Sequence, residues 1–324
     1  MSDPTASSAG VSLVVKGPTA GAELSVYDSS FRLKHSGIGE IAVTLAPGLY
    51  DVEARLANDS ERKSVALVGP PQKIAADEWS LKLRTAAPLP LSSTWRQSHQ
   101  QAAAKYSKQT TATAEGDSRL LIFARSVKRG LTGEWEQPGD RFWTGIKLKG
   151  ADGRLVSDLA NGVESDIKDG WCAFSVDLAE GGYVVSGPSP QGGEICMPLW
   201  LQPAYGTCVF VPVFDRPALD AASIVMAPKE QGLGPENQGE AEYGEALLAG
   251  FRRDKDLMDS SAIQKMLLKK FDNPFAGIIA AYALCRSGDK SGVSTVVISN
   301  LRGMLGNHPA NGGRIEHPDP SQPG

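Results

Sequence analysis

The sequence predicts a multidomain, mainly β chain, with two tandem β-sandwich-like domains followed by a small α-helical bundle. Three observations point there. Short apolar segments alternate with period two through residues 11–84 and again through 120–214. A strand–turn–strand segment of the first block recurs in the second, 133 residues on. From Gly239 the apolar spacing changes to three and four, the period of a helix. A length of 324 residues suits two or three domains at about 100–200 residues each.

Residues 1–10 are expected to be disordered, and the first sandwich to fill 11–86. Its strands are read at Val11–Val15, Glu23–Tyr27, Glu40–Leu45, Tyr50–Leu56, Lys63–Val68 and Glu78–Leu83. Pairs such as Leu24/Val26, Ile41/Val43 and Tyr50/Val52 place alternate side chains on one face. Gly17-Pro18, Asp28-Ser29-Ser30, Pro47-Gly48 and Gly69-Pro70-Pro71 punctuate them as turns. Pro88 and Pro90 open a polar linker over 87–118 that can carry a short helix near Gln97–Tyr106. A second sandwich-like domain follows at 119–226, then a Gly/Pro-containing linker at 227–239.

The repeat is specific in its residues. Ile41-Ala42-Val43-Thr44-Leu45-Ala46-Pro47-Gly48-Leu49-Tyr50-Asp51-Val52 returns as Phe174-Ser175-Val176-Asp177-Leu178-Ala179-Glu180-Gly181-Gly182-Tyr183-Val184-Val185. Upstream, Leu24-Ser25-Val26 with Arg32-Leu33 matches Ile146-Lys147-Leu148 with Arg154-Leu155. Those pairs stand 122 apart rather than 133, so the second copy carries 11 more residues before the hairpin. Both hairpins have Gly at the turn, where a positive φ or a crowded backbone calls for it, and an aromatic two residues on to cover the core.

The phrase Leu45-Ala46-Pro47-Gly48-Leu49-Tyr50-Asp51-Val52, preceded by Gly21-Ala22-Glu23-Leu24-Ser25-Val26-Tyr27, resembles the carboxypeptidase-regulatory and transthyretin-like β-sandwich modules. Surface-layer-associated modules with a Pro-Glu-Gly-Ala signature are similar. The likeness covers residues 11–84 and, more loosely, 120–214, where Glu180 replaces Pro47. It implies non-catalytic modules that serve packing, adhesion or ligand presentation, many of them secreted.

The helical module is placed at 240–306, with helices over 241–252, from Ser260 or Ser261 to Phe271, over Pro274–Arg286, and from Ser291 to Met304. Asn273-Pro274 is a start signal, a capping side chain with Pro at the first helical position. Pro274–Arg286 is apolar on nearly every side and is expected at the centre of the bundle. The tail, 307–324, is expected to be disordered.

Function classes narrow by exclusion. Lys plus Arg is 33 against 37 for Asp plus Glu, a net charge of −4, which argues against general nucleic-acid binding. The N-terminus shows no basic patch with an apolar run, so no secretory signal is read and the cytoplasm is the expected location. The densest apolar stretch, Phe275–Leu284, is shorter than the roughly 20 residues of a membrane span. Cys172, Cys196, Cys208 and Cys285 are read as reduced thiols, a Cys172–Cys208 bridge being the alternative. His35, His99, His308 and His317 have no Ser or Cys partner at a motif spacing. Gly187-Pro188-Ser189-Pro190-Gln191 lacks the second Gly of a nucleophile elbow. Gly288-Asp289-Lys290-Ser291-Gly292 follows a helix, not a strand, and is read as a turn rather than a phosphate loop. A divalent ion at His308, Glu316, His317 and Asp319 is the weaker alternative to a plain His-containing tail.

No catalytic residue, metal site or cofactor is therefore assigned. Trp135 and Phe142, beside Asp140 and Arg141, are the candidate contacts, for a protein partner or a sugar face. Trp143, Trp171 and Trp200 are assigned to the second core, and the basic run Arg125–Arg129 to a solvated face. The expected function is a non-enzymatic protein–protein interaction or scaffold/adaptor role. The alternatives are a carbohydrate- or small-ligand-binding sandwich, and a regulatory partner or substrate of a protease in a bacterial multi-gene system. The last rests on cleavable segments at Pro88–Ser118 and Ala227–Gly239.

Overall fold

The computed structural model describes residues 10–19, 21–56, 59–131, 134–136, 139, 141–160, 162–189 and 191–234, and in the C-terminal part 239, 241–242, 244–245, 248, 274–286, 295, 297–300 and 303. The chain is mainly β. Seven strands make a first pair of sheets: β1 (Val11–Lys16), β2 (Glu23–Asp28), β3 (Leu33–Ile38), β4 (Glu40–Leu45), β5 (Gly48–Leu56), β6 (Asp59–Leu67) and β7 (Gln72–Ile74). One sheet has the order β4-β1-β7, with β7 parallel to β1, and the other β3-β2-β5-β6. Alternation turns Leu13, Val15, Leu24, Val26, Val52 and Ala54 inward, and all are buried between the sheets.

The second pair is built from β8 (Ser118–Ser126), β9 (Lys147–Gly150), β10 (Leu155–Asp158), β11 (Glu164–Asp166), β12 (Trp171–Leu178), β13 (Gly181–Pro188), β14 (Glu194–Leu201), β15 (Tyr205–Val213) and β16 (Ser223–Pro228). Its sheets run β11-β12-β8-β15-β16 and β10-β9-β13-β14, and β15 is parallel to β8. Remove β11 and β16, and the strand order of the first sandwich returns strand for strand. The repeated hairpin occupies equivalent places: β4 and β12 lie beside the first strand of their sandwich, and β5 and β13 lie in the opposite sheet. The added strand β11 falls inside the 11-residue insertion read from the repeat offsets. Of the two turn glycines, Gly181 has φ +140 as expected. Gly48 has no positive φ, and a Cβ there would meet the Tyr50 ring only at an ordinary 3.5 Å.

Two strand readings change. Glu78–Leu83 buries Trp79, Leu81 and Leu83 with period two, yet it forms no ladder beyond a single bridge from Leu83 to Ser92. Leu33–Ile38 is a strand with little alternation because it is an edge, exposed or half-exposed throughout.

Residues 87–118, read as a linker, are largely packed. They carry α1 (Gln97–Tyr106), as expected, and α1 buries His99, Ala102, Ala103 and Tyr106. With Ala86, Ala87 and Leu89, these side chains cover the outer face of the five-stranded sheet, over Leu121, Phe123, Cys208 and Phe210. That sheet is consequently buried on both faces.

In the C-terminal part α2 (Pro274–Arg286) has the predicted bounds. It buries Ile279, Ala280, Ala281 and Leu284 but exposes Tyr282, so it is not apolar contact all round. Ala241 also packs on the outer face of the sheet. The helix read from Ser260 or Ser261 to Phe271, the tail at 307–324 and residues 1–9 lie outside the described residues.

Candidate functional site

The loop between β8 and β9 carries both candidate aromatics, Trp135 and Phe142. It turns back on itself: the Gly130 amide donates to the Glu134 carbonyl at 2.9 Å and the Glu136 amide to the Lys128 carbonyl at 3.1 Å. This pairing sets Trp135 opposite Arg129.

Trp135 meets two cations. The Arg129 guanidinium lies 4.2 Å from its ring centre and that of Arg96 lies 5.4 Å away, both within cation–π range. Arg96 comes from the turn before α1 and forms an ion pair with Asp169. Behind them is Arg125, fully buried. Period two on β8 aims it to the same side as Leu121 and Phe123, the face that α1 and its preceding turn cover. Its Nη2 donates to the Thr94 carbonyl at 2.8 Å and to the Thr94 hydroxyl. Its Nε and Nη1 are buried and have no acceptor among the described residues. Burial, with Arg96 alongside, pulls its pKa down to about 9. Asp169 is the one carboxylate, among the described residues, in ion-pair contact with any of these three guanidiniums. The edge is therefore a cationic, aromatic surface with a buried charge behind it.

Phe142 is placed differently. It is half-buried, packs against the inter-sheet core and meets Trp143 edge-to-face at 4.9 Å. Its outer side lines a cleft of about 160 Å³ with Lys128, Glu136, Phe214 and Asp215. Lys128 bridges Glu136 at 2.9 Å and Asp215 at 2.8 Å, and these carboxylates raise its pKa. Only Trp135 of the two candidates is thus joined to the arginines.

Several sequence readings are corrected here. The run Arg125–Arg129 is a solvated face only in part: Arg125 is buried, whereas Lys128, ion-paired, and Arg129, lying on Trp135, stay at the surface. Trp143 is in the inter-sheet core as expected, whereas Trp171 stacks on Phe123 over the outer face at 5.8 Å. Trp200 is 37% exposed because Leu199 and Leu201, its neighbours on β14, take the inward positions.

The remaining reactive groups do not converge. His99, on the inner side of α1, is fully buried against Phe123, with Nε2 2.7 Å from the Asp169 carbonyl oxygen. Cys172 faces the inter-sheet core and Cys208 the opposite face of the same sheet. Both thiols are free, and burial raises both pKa values, Cys208 to about 12. Among the described residues no group of three His, Cys, Asp or Glu side chains is placed to hold a metal ion. His308, Glu316, His317 and Asp319 lie outside them. No described helix is long and apolar enough to cross a membrane.

No family model and no curated protein matches the chain. Among solved structures, the TIE protein of Bacillus anthracis is similar over 60% of this chain and 32% of its own, at 10% identity and a TM-score of 0.22. The chain thus spans about a third of that protein. BcpA, the major pilin subunit of Bacillus cereus, is similar over 68% of this chain and 87% of its own, at 11% identity and a TM-score of 0.20. TM-scores this low do not establish a shared fold.

Proposed function

We propose that the chain is a non-enzymatic binding or scaffold protein, in which two sandwiches of the same strand order form a frame and the Trp135 edge takes a protein partner. The Trp135–Arg129–Arg96 cluster carries this reading. Trp and Arg are the side chains that dominate protein interfaces, because they bury much area with few rotamers to fix and offer charge-assisted contacts. The cationic edge fits a partner surface that presents carboxylates. Because the two sandwiches share one strand order, the likeness to transthyretin-like modules is proposed for both together.

The test is affinity purification from the native host with the wild type and the Trp135→Ala/Arg129→Ala double variant. Partners held by the wild type are expected to drop out with the variant while thermal stability is retained. Identical protein sets, or an inert monomer in both, would remove the reading. Trp135 also motivates a sugar-binding alternative, which a glycan array without hits would dispose of. The protease-partner alternative loses one support, since Ala86–Leu89, Ser92, His99 and Tyr106 are buried within or beside the segment expected to be cleavable.

A further inference from the structure

We propose that one end of the first sandwich is a membrane-docking tip, with Phe31 as the side chain that enters the headgroup region of an anionic bilayer.

The antiparallel register gathers the tip. β2 ends at Asp28, β3 starts at Leu33, β5 starts at Gly48 and β6 ends at Leu67, all at the same end of the β3-β2-β5-β6 sheet. Four large apolar side chains stand exposed there: Phe31 at 70%, Leu33 at 55%, Leu49 at 57% and Val68 at 68%.

The second sandwich is an internal control. Between β2 and β3 the Asp28 amide donates to the Arg32 carbonyl at 3.0 Å, and the Phe31 amide to the Asp28 carbonyl at 2.8 Å. Between β9 and β10 the same turn recurs: the Gly150 amide donates to the Arg154 carbonyl at 2.9 Å, and the Gly153 amide to the Gly150 carbonyl at 2.9 Å. Phe31, with φ +56, thus stands where its twin has Gly153, with φ +79. Left-handed backbone disfavours a residue with a Cβ, and glycine adopts it freely. Leu49 likewise stands where the repeat has Gly182. Neither exposed side chain is needed to make this turn or hairpin, since the second sandwich makes both with glycine. A bulky ring held in a disfavoured conformation and turned to solvent points to a contact outside the fold.

Area and charge favour a lipid surface as that contact. The four side chains expose on the order of 400 Å², about half of the roughly 800 Å² that each partner contributes to a stable protein pair. A bilayer needs only a few inserted apolar groups backed by cations. Arg32, next to Phe31, forms no ion pair among the described residues, and Lys34 adds a second cation 3.0 Å from Asp28. Asp28 and Asp51, the latter opposite Tyr27 and level with Leu33, balance these two cations, which leaves Arg32 as the unpaired cation beside Phe31. The tip does not depend on whether the chain also holds a protein partner.

Sedimentation with lipid vesicles tests this on the full chain. Phosphatidylcholine vesicles with about 30% phosphatidylserine, in about 0.1 M salt, are expected to carry the wild type down, and pure phosphatidylcholine much less. Phe31→Gly should lower the bound fraction about tenfold with an unchanged or higher melting temperature. Phe31→Asn, which also tolerates the left-handed turn, should do the same, and Arg32→Glu should weaken binding. Absence of wild-type sedimentation, or binding that survives both Phe31 variants, overturns the proposal. So does a wild-type dimer that Phe31→Gly abolishes without any vesicle binding, which would assign the tip to a second copy.

Discussion

Tyr50 and Tyr183 close the same corner of the two sandwiches. Each hydroxyl donates to the carbonyl four residues back, Tyr50 to Ala46 at 2.9 Å and Tyr183 to Ala179 at 3.1 Å. Both bonds lie where the chain leaves one sheet and enters the other, so each ties down a crossing that no ladder holds. Removing the Tyr50 hydroxyl as Tyr50→Phe should cost about 1 kcal/mol, the usual net worth of such a bond. Tyr183→Phe should cost less, because its bond is exposed and water replaces the lost partner. Urea unfolding checks both: the midpoint should fall while the slope is kept. An unmoved Tyr50→Phe midpoint would exclude the hydroxyl as a tie.

The buried His99 makes stability depend on mild acid. The Asp169 carbonyl 2.7 Å from Nε2 can only accept, so Nε2 carries a proton. Burial first, then Arg125 and Arg96, hold its pKa down to about 4, against 6.5 for a free ring. A depressed pKa means that the unfolded chain binds the proton first. The stabilisation is therefore complete above about pH 6.5 and is lost as pH falls towards 4, by roughly 3 kcal/mol at full extent. Glu53 and Asp177, whose pKa values are also lowered, from 4.5 and 3.8, begin to lose their contributions only at the lower end of that window and below it. Urea midpoints between pH 7 and 4.5 should drop for the wild type and stay nearly level for His99→Leu. Parallel profiles would exclude the ring as the titrating group.

How far the sequence reached follows from which faces period two can report. Strands with one face inward, such as Glu40–Leu45 and Glu23–Asp28, lie within a residue of their predicted bounds. The edge strand Leu33–Ile38 has no buried stripe to announce it. The outer face of the five-stranded sheet was hidden for the opposite reason. Leu120-Leu121-Ile122-Phe123-Ala124 is apolar without a break, the mark of a strand covered on both sides. Followed through, that run would have placed α1 over it and buried Arg125. The choice of Trp135 named a residue of the cluster, but Arg96, Asp169 and His99 lie 30 or more residues from it in the chain. Only folding brings them together.

Asp169 and Arg125 should respond unequally to substitution. Asp169→Ala leaves Arg96 and Arg125 side by side without the carboxylate that pairs with Arg96. Removing one member of a partly buried pair should cost about 3 kcal/mol. Arg125→Met instead removes a buried charge whose Nε and Nη1 have no acceptor among the described residues, and keeps most of the volume. The loss of two bonds to Thr94 is offset by relief of that desolvation, so its change should stay within about 1 kcal/mol. Thermal unfolding orders the two, and an Arg125→Met loss equal to that of Asp169→Ala would contradict the account of Arg125 as an uncompensated charge.

The four thiols should divide by face. Cys172 and Cys208 lie on β12 and β15 of one sheet, with β8 between them, and point to opposite sides of it, into two separate cores. A disulfide needs Cβ atoms about 3.8 Å apart and facing each other, so no oxidant can join this pair while the sheet stands. Burial also raises both pKa values, which suppresses the reactive thiolate. Cys196 and Cys285 are exposed. An aromatic disulfide reagent at pH 8 should therefore titrate two thiols in the native chain and four in denaturant, with Cys196 and Cys285 modified first on peptide mapping. Fast native labelling of Cys208 would mean that α1, carrying His99, and the segment beside it lift off the five-stranded sheet, and with them the cover over Arg125.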